Sequence, residues 1–181
     1  MFRILVLSAA LVLAGCATTR PSLPTQTGVD LQRYAGTWHE QARLPNRFQK
    51  DCVADVRADY ALQPDGKLAV TNQCRQKDGS IQVANGEGRL AGPSDQHDPA
   101  RLEVRFAPEW TSWLPMVWGD YWIIRLDDGY QYSLVGTPDR NYLWVLSRNE
   151  RADETTVKQL LDYAGTLGFP VEDVVNTNSR R

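Results

Sequence analysis

The chain is poor in the residues on which most enzymes and metalloproteins depend. Its 181 residues include two His and three Cys. His39 and His97 alone make no imidazole metal site, and no CxxC pair is present. No Ser occupies a G-x-S-x-G turn, and no phosphate-binding loop exists; Asn85-Gly86-Glu87-Gly88 reads as a bend or tight packing inside a strand. Asp127-Asp128 precedes Gly129 and reads as a turn, not a catalytic carboxylate pair. No catalytic residue, metal or cofactor is therefore expected. Positive charge is not in excess either: 20 Lys+Arg against 22 Asp+Glu leave a net charge of -2, with no field to hold a nucleic acid.

Long apolar runs are also missing. The most apolar stretch, Ile4 to Leu13, is too short to cross a bilayer comfortably. With Arg3 before it, it reads as a secretory signal spanning residues 1–15. The segment ends in Leu13-Ala14-Gly15-Cys16, which resembles the lipobox of bacterial lipoproteins, whose Cys carries diacylglycerol and palmitate. An ordinary signal peptide that happens to hold a Cys is the alternative. Lipidation at Cys16 implies a membrane anchor, and Ala17 after it resembles the outer-membrane sorting pattern. The expected location is the outer membrane, lipid-anchored and facing the periplasm. Residues 16–29 are polar with two prolines and read as a flexible tether, leaving 30–181 as one domain.

In an oxidising compartment Cys52 and Cys74 form an even pair. They flank an apparent hairpin that turns at Gln63-Pro64-Asp65-Gly66, which brings them close enough for a disulfide. Two buried free thiols are the alternative. From Tyr34 onward, apolar and polar residues alternate with period two between explicit turns. Eight strands are predicted at about 36–45, 53–62, 67–75, 80–91, 101–107, 119–127, 130–137 and 142–148. No interval is long enough for a helical crossover, so the sheet is antiparallel and up-and-down. Closing it on itself removes the edges, giving an all-β, eight-stranded barrel. Near the C-terminus, Val157, Leu160, Leu161, Ala164 and Leu167 mark one face of a helix over Asp153–Gly168, packed outside that barrel.

Aromatic residues are plentiful where catalytic ones are not. Trp110, Trp113, Trp118 and Trp122 fall within thirteen residues. The loop 107–119, which holds the first three of them, reads either as a rim that meets lipid or a partner, or as a loop folded onto its own barrel.

Tyr34-Ala35-Gly36-Thr37-Trp38-His39-Glu40 resembles the G-x-W signature of lipocalins, whose Trp plugs the closed end of the barrel. Gly136-Thr137-Pro138-Asp139-Arg140-Asn141-Tyr142 resembles the family's second region, and Leu146-Ser147-Arg148 its third, whose Arg lies across that Trp. With the lipobox and the Cys pair, the chain is similar to the bacterial outer-membrane lipoprotein lipocalins, relatives of apolipoprotein D. The resemblance implies a structural plug of Trp38 and Arg148. Strand parity counted from that plug places Glu40, Ala42, Val56, Ala58, Tyr60, Val70, Asn72, Leu102, Val104, Phe106, Trp122, Ile124, Trp144 and Leu146 inward. Of these, Ala42, Val56, Ala58, Tyr60, Val70, Phe106, Trp122 and Trp144 are the expected ligand-binding residues. The implied ligand is a fatty acid or lysophospholipid, stored or transported in the envelope under stress and bound without bond-making. A scaffold lipoprotein that grips a protein through 107–119 is the competing expectation, and both a monomer and a homodimer remain open.

Overall fold

The structure, a computed structural model, describes residues 22–93 and 97–177. The expected signal segment 1–15, Cys16 and residues 17–21 of the expected tether lie outside the described residues. Nine strands form one antiparallel sheet: β1 (Gly36–Arg43), β2 (Cys52–Leu62), β3 (Leu68–Gln76), β4 (Ile81–Leu90), β5 (Arg101–Arg105), β6 (Gly119–Leu126), β7 (Tyr132–Gly136), β8 (Leu143–Ser147) and β9 (Val175–Asn176). Sequential neighbours pair from β2 to β8, and β1 closes the ring by pairing with both β8 and β2. The fold is a closed eight-stranded barrel with β9 as an addition. β2 pairs with β1 only at Gly36–His39; beyond that β9 takes the same edge, opposite Ala42 and Arg43.

Two helices are described. α1 (Leu31–Tyr34) is a single turn capped by Asp30, whose side chain accepts from the amides of Gln32 and Arg33. α2 (Glu154–Thr166) starts at Asp153, which accepts from the Thr156 amide at 2.8 Å. The predicted helical face meets the barrel as expected: Leu160 and Ala164 are buried, with Val157, Leu161 and Leu167 packed beside them.

Two apolar clusters lie on opposite faces of the sheet. The inner one gathers Trp38, Ala58, Tyr60, Leu68, Val70, Leu102, Tyr121, Ile123, Val135 and Leu146 from seven strands, with Tyr34 of α1. The outer one joins Ala42, Leu44, Ile124, Leu134, Leu143 and Val145 to α2 and Phe169.

The sheet corrects three inward placements. β1 carries a bulge between Glu40 and Ala42, which turns Ala42 outward beneath α2 and brings Arg43 to the inner face. Ala42 is therefore not a lining residue. In β6, Leu102 pairs with Tyr121 and Arg101 with Trp122. Directly paired residues share a face, so Tyr121 and Ile123 enter the barrel while Trp122 packs outside, under the Arg101 guanidinium at 4.7 Å. Ile124 is also outside, next to a second bulge between Ile123 and Arg125.

The described end of the tether differs from expectation as well. Leu23 is buried in the outer cluster, Val29 in the inner one, and the Gln26 amide donates to the Ile123 carbonyl at 2.9 Å. Two apolar side chains in a polar stretch were enough to dock residues 23–29 onto the barrel.

Candidate functional site

Chain direction defines the two ends of the barrel. β1 leaves the end covered by α1, so the turns 63–67 and 127–131 lie at that closed end. The connections 44–51, 77–80, 106–118 and 137–142 lie at the open end.

The closed end is a hydrogen-bonded plug. Trp38 is fully buried and its Nε1–H donates to the Tyr34 carbonyl at 2.8 Å. The Arg148 guanidinium stacks 3.9 Å from the Trp38 ring centre, a contact worth about 0.5–2 kcal/mol. Its N–H groups donate to the carbonyls of Arg33, Tyr34, Ala35, Thr37 and Tyr130 at 2.8–3.2 Å. Gly36, at φ +99°, has no side chain where a Cβ would stand 3.1 Å from Arg148 Nη1. Regions one and three of the lipocalin resemblance therefore meet as implied. Gly136–Tyr142, resembling region two, forms the turn between β7 and β8 at the open end, and the backbone that Arg148 reaches on the far side of the plug is Tyr130 of the 127–131 turn.

Above the plug sit three buried tyrosines. The Tyr121 hydroxyl is 2.9 Å from those of Tyr34 and Tyr60, and Tyr34 also reaches the Ser133 hydroxyl at 3.2 Å. Burial pushes the Tyr34 phenol up to about 12 and those of Tyr60 and Tyr121 upward too, so all three stay neutral donors at ordinary pH. Apolar wall rises from there: Ala58, Val70, Leu102, Ile123, Val135 and Leu146, with Val104 and Trp144 partly buried against them. β4 adds almost no bulk. Its Gly86 faces Val70, and a Cβ there would stand 2.5 Å from the Arg105 carbonyl and 2.7 Å from the Phe106 ring.

The rim is mixed. Val56 packs against the Cys52–Cys74 disulfide, whose Cα atoms are 5.6 Å apart, so the pair is bridged rather than free. Trp144 stacks on Tyr142 at 5.8 Å, and its indole N–H donates to Gln49 at 3.0 Å. Inside the rim, Arg43 donates to Glu40 at 2.6 Å, and Thr177 beside β9 donates to the same carboxylate at 2.6 Å. Arg43 Nε and Asn72 Oδ1 are buried with no partner among the described residues. Phe106 lies past the end of β5 and is 42% exposed, a rim residue rather than part of the wall.

Of the expected ligand residues, Ala58, Tyr60 and Val70 share the inner face, Val56, Phe106 and Trp144 surround the mouth, and Ala42 and Trp122 lie outside. Sequence reasoning missed Tyr121 and Arg43. Neither signal was in the sequence: the face of Tyr121 is fixed only by its pairing with Leu102, and a bulge inverted the parity at Arg43. Two clefts, of about 680 and 190 Å³, open outside the barrel wall at its closed end. None of the expected ligand residues lines either one. No group of three or more His, Cys, Asp or Glu side chains is arranged to hold a metal among the described residues.

The 106–118 loop settles both ways. Trp118 folds back onto the outer wall, its ring 3.8 Å from Arg89 and 5.2 Å from Arg105, and donates to the Ser112 carbonyl at 2.8 Å. Trp110 and Trp113 instead point into solvent.

Comparison with known proteins agrees with this architecture. Residues 29–179 match the family described as Lipocalin-like domain. Temperature-induced lipocalin-1 of Arabidopsis thaliana is 37% identical over 161 residues, 88% of this chain and 84% of that one. Outer membrane lipoprotein Blc of Escherichia coli (strain K12) is 32% identical, covering 93% and 90%. Apolipoprotein D of Mus musculus is 30% identical, covering 87% and 81%. Among solved structures, insecticyanin of the tobacco hornworm Manduca sexta superposes with a TM-score of 0.67 at 19% identity, over 87% and 85% of the two chains, which speaks to the fold alone. A plugged eight-stranded barrel, its external helix and a family match over nearly all of the domain agree, and the chain belongs to the lipocalins.

Proposed function

We propose that this lipocalin binds a fatty acid or lysophospholipid in its barrel, acyl chain inward and head at the rim. The observation that carries the reading is the apolar inner face. Side chains from seven strands line it above the tyrosine layer, with Glu40 opposite Leu146, Asn72 opposite Ala58 and Arg43 nearer the mouth as the polar groups that could meet a head. Burying about eight acyl methylenes at ~0.8 kcal/mol each would contribute about 6 kcal/mol, from which the cost of association is subtracted. The mechanism is burial, with no bond made or broken. The lipobox and the similarity to an outer membrane lipoprotein support anchoring through Cys16 at the outer membrane, facing the periplasm. Storage or transport under envelope stress is the corresponding role, and a temperature-induced relative is consistent with it.

The test is a titration of the chain from Ala17 onward with lysophosphatidylcholine and palmitate, by competition with a fluorescent fatty acid. Saturable one-site binding at micromolar or lower concentration is expected, weakened at least fivefold by Trp144→Ala at the mouth. Folded, disulfide-bonded protein that binds neither lipid would refute the carrier reading and favour a scaffold that grips a protein through 107–119.

A further inference from the structure

Large apolar side chains on the surface are not scattered. Seven are exposed among the described residues, and every one belongs to the open half of the barrel. Phe48 lies in the 44–51 connection, Ile81 and Val83 begin β4, and Phe106, Trp110, Trp113 and Met116 lie in the 106–118 loop. Trp110, Trp113 and Met116 are 76%, 75% and 84% exposed. The rest of the described surface holds no large apolar residue exposed to this degree, although the closed end has turns of similar length.

The loop tip is held rather than slack. Short 3₁₀ turns span Glu109–Thr111 and Pro115–Val117, and the Thr111 hydroxyl donates to the Pro108 carbonyl at 2.6 Å. With Trp118 clamped between Arg89 and Arg105, the two outward Trp rings are presented by a braced scaffold. Little ordering entropy remains to oppose their insertion into another phase.

Neighbouring charges point to the occupant. Exposed Arg47, Lys50 and Lys77 are interspersed with Asp51, Asp78 and Glu109, so the collar has no single-sign field. A collar of balanced charge tipped by Trp suits the boundary between headgroups and acyl chains, where an indole buries its ring and keeps its N–H hydrated. The tether supplies proximity. Cys16 is six residues from Ser22, a reach of about 20 Å at full extension, shorter than the ~36 Å of an eleven-residue strand such as β2. A lipid on Cys16 would hold the barrel against the bilayer at high effective concentration.

We propose that the open end docks on the bilayer surface through this collar, with Trp110, Trp113 and Met116 in the headgroup region and the barrel mouth facing the membrane. Docking rests on exposed side chains and does not require a filled barrel. It deepens the carrier reading by placing the mouth where an acyl lipid would enter or leave, and that consequence alone rests on the carrier reading. Because the charges are mixed, docking works on zwitterionic lipid and is insensitive to salt.

The experiment uses the chain from Ala17, which keeps every described residue, with vesicles of pure phosphatidylcholine and of phosphatidylcholine with one quarter phosphatidylglycerol. Co-sedimentation and a blue shift of Trp emission are expected on both, changing less than threefold between 50 and 500 mM NaCl. Trp110→Ser/Trp113→Ser is expected to weaken partitioning at least tenfold while leaving the urea midpoint and palmitate binding unchanged. Met116→Ser alone is expected to weaken it to a smaller degree. Absence of vesicle binding by folded protein, or equal binding by the double variant, would overturn docking. So would a wild-type dimer that ignores vesicles and that the double variant converts to monomer, since a second copy would then cover the collar. Vesicle binding without palmitate binding would leave docking standing and remove only the carrier reading.

Discussion

Trp38 and the pair Trp110/Trp113 mark opposite ends of one barrel and opposite fates for the same side chain. Trp38 is fully buried, donates its N–H to Tyr34 and lies under Arg148, whose own N–H groups reach five backbone carbonyls. Trp110 and Trp113 are three-quarters exposed on a braced loop. At the closed end the Trp38 N–H and the Arg148 guanidinium are tied to backbone carbonyls, which braces the floor. At the open end apolar surface is left uncovered, which is costly unless something meets it. Stability is thus concentrated below, and recognition is left for the rim.

The sharpest way to break the contrast is Trp38→Ala. Truncating a fully buried Trp is expected to cost about 3–5 kcal/mol, read as a lower midpoint in urea. Arg148→Ala should follow closely, because it strands carbonyls as well as removing the stack. Next comes the rim's one covalent tie. Opening Cys52–Cys74, which spans 22 residues, is expected to cost about 3 kcal/mol, measured with Cys52→Ser/Cys74→Ser against wild type in the same denaturant.

Alkaline pH tests the tyrosine layer between the two ends. The folded pKa of Tyr34 is raised to about 12 against an unfolded value near 10, and Tyr60 and Tyr121 shift the same way. The raised phenol keeps its proton in the fold while the unfolded chain loses it. Its stabilisation is therefore complete below pH 10 and is lost as pH climbs from 10 to 12. For Tyr34 alone the loss amounts to about 2–3 kcal/mol. Melting temperatures followed from pH 9 to 12 should fall steeply above 10, and Tyr34→Phe should flatten that slope; an unchanged slope would refute burial as its cause. The smallest effect belongs to the exposed loop: Trp110→Ser/Trp113→Ser should alter folding stability by no more than about 0.5 kcal/mol.

Much of this architecture could be read along the chain. Alternation of Val56, Ala58 and Tyr60 with Arg57 and Asp59 announces a strand with one buried face, and eight such runs with short turns call for an antiparallel sheet that closes on itself or packs on a second one. The i, i+3, i+4, i+7 face of Val157, Leu160, Leu161 and Ala164 announces a helix that covers something apolar. The strands, the helix and the hairpin that brings Cys52 and Cys74 within reach of each other rest on a local period or a short-range turn. The plug of Trp38 and Arg148 was legible only through the resemblance of the G-x-W segment and Leu146-Ser147-Arg148 to lipocalins.

What only tertiary structure decided is where those periods break. The bulges after Glu40 and Ile123 each depend on the strand opposite, so nothing within β1 or β6 alone showed that Ala42 faces α2 or that Arg43 enters the rim. The same holds for β6 as a whole: Trp122 and Tyr121 are equally plausible inward residues until Leu102 is set opposite Tyr121. β9 is two residues long and gains its identity from an edge that β2 vacates. Residues 23–29 look like a tether because two apolar side chains carry too little periodicity to read, yet each finds a slot built by distant strands. Sequence by itself determined the antiparallel strands and the helix, because those follow from periodicity and chain reversal; the plug followed from the lipocalin resemblance, and the hairpin made the disulfide feasible. Register, rim and docked termini were decided by tertiary structure, because they depend on pairings between residues far apart in the chain.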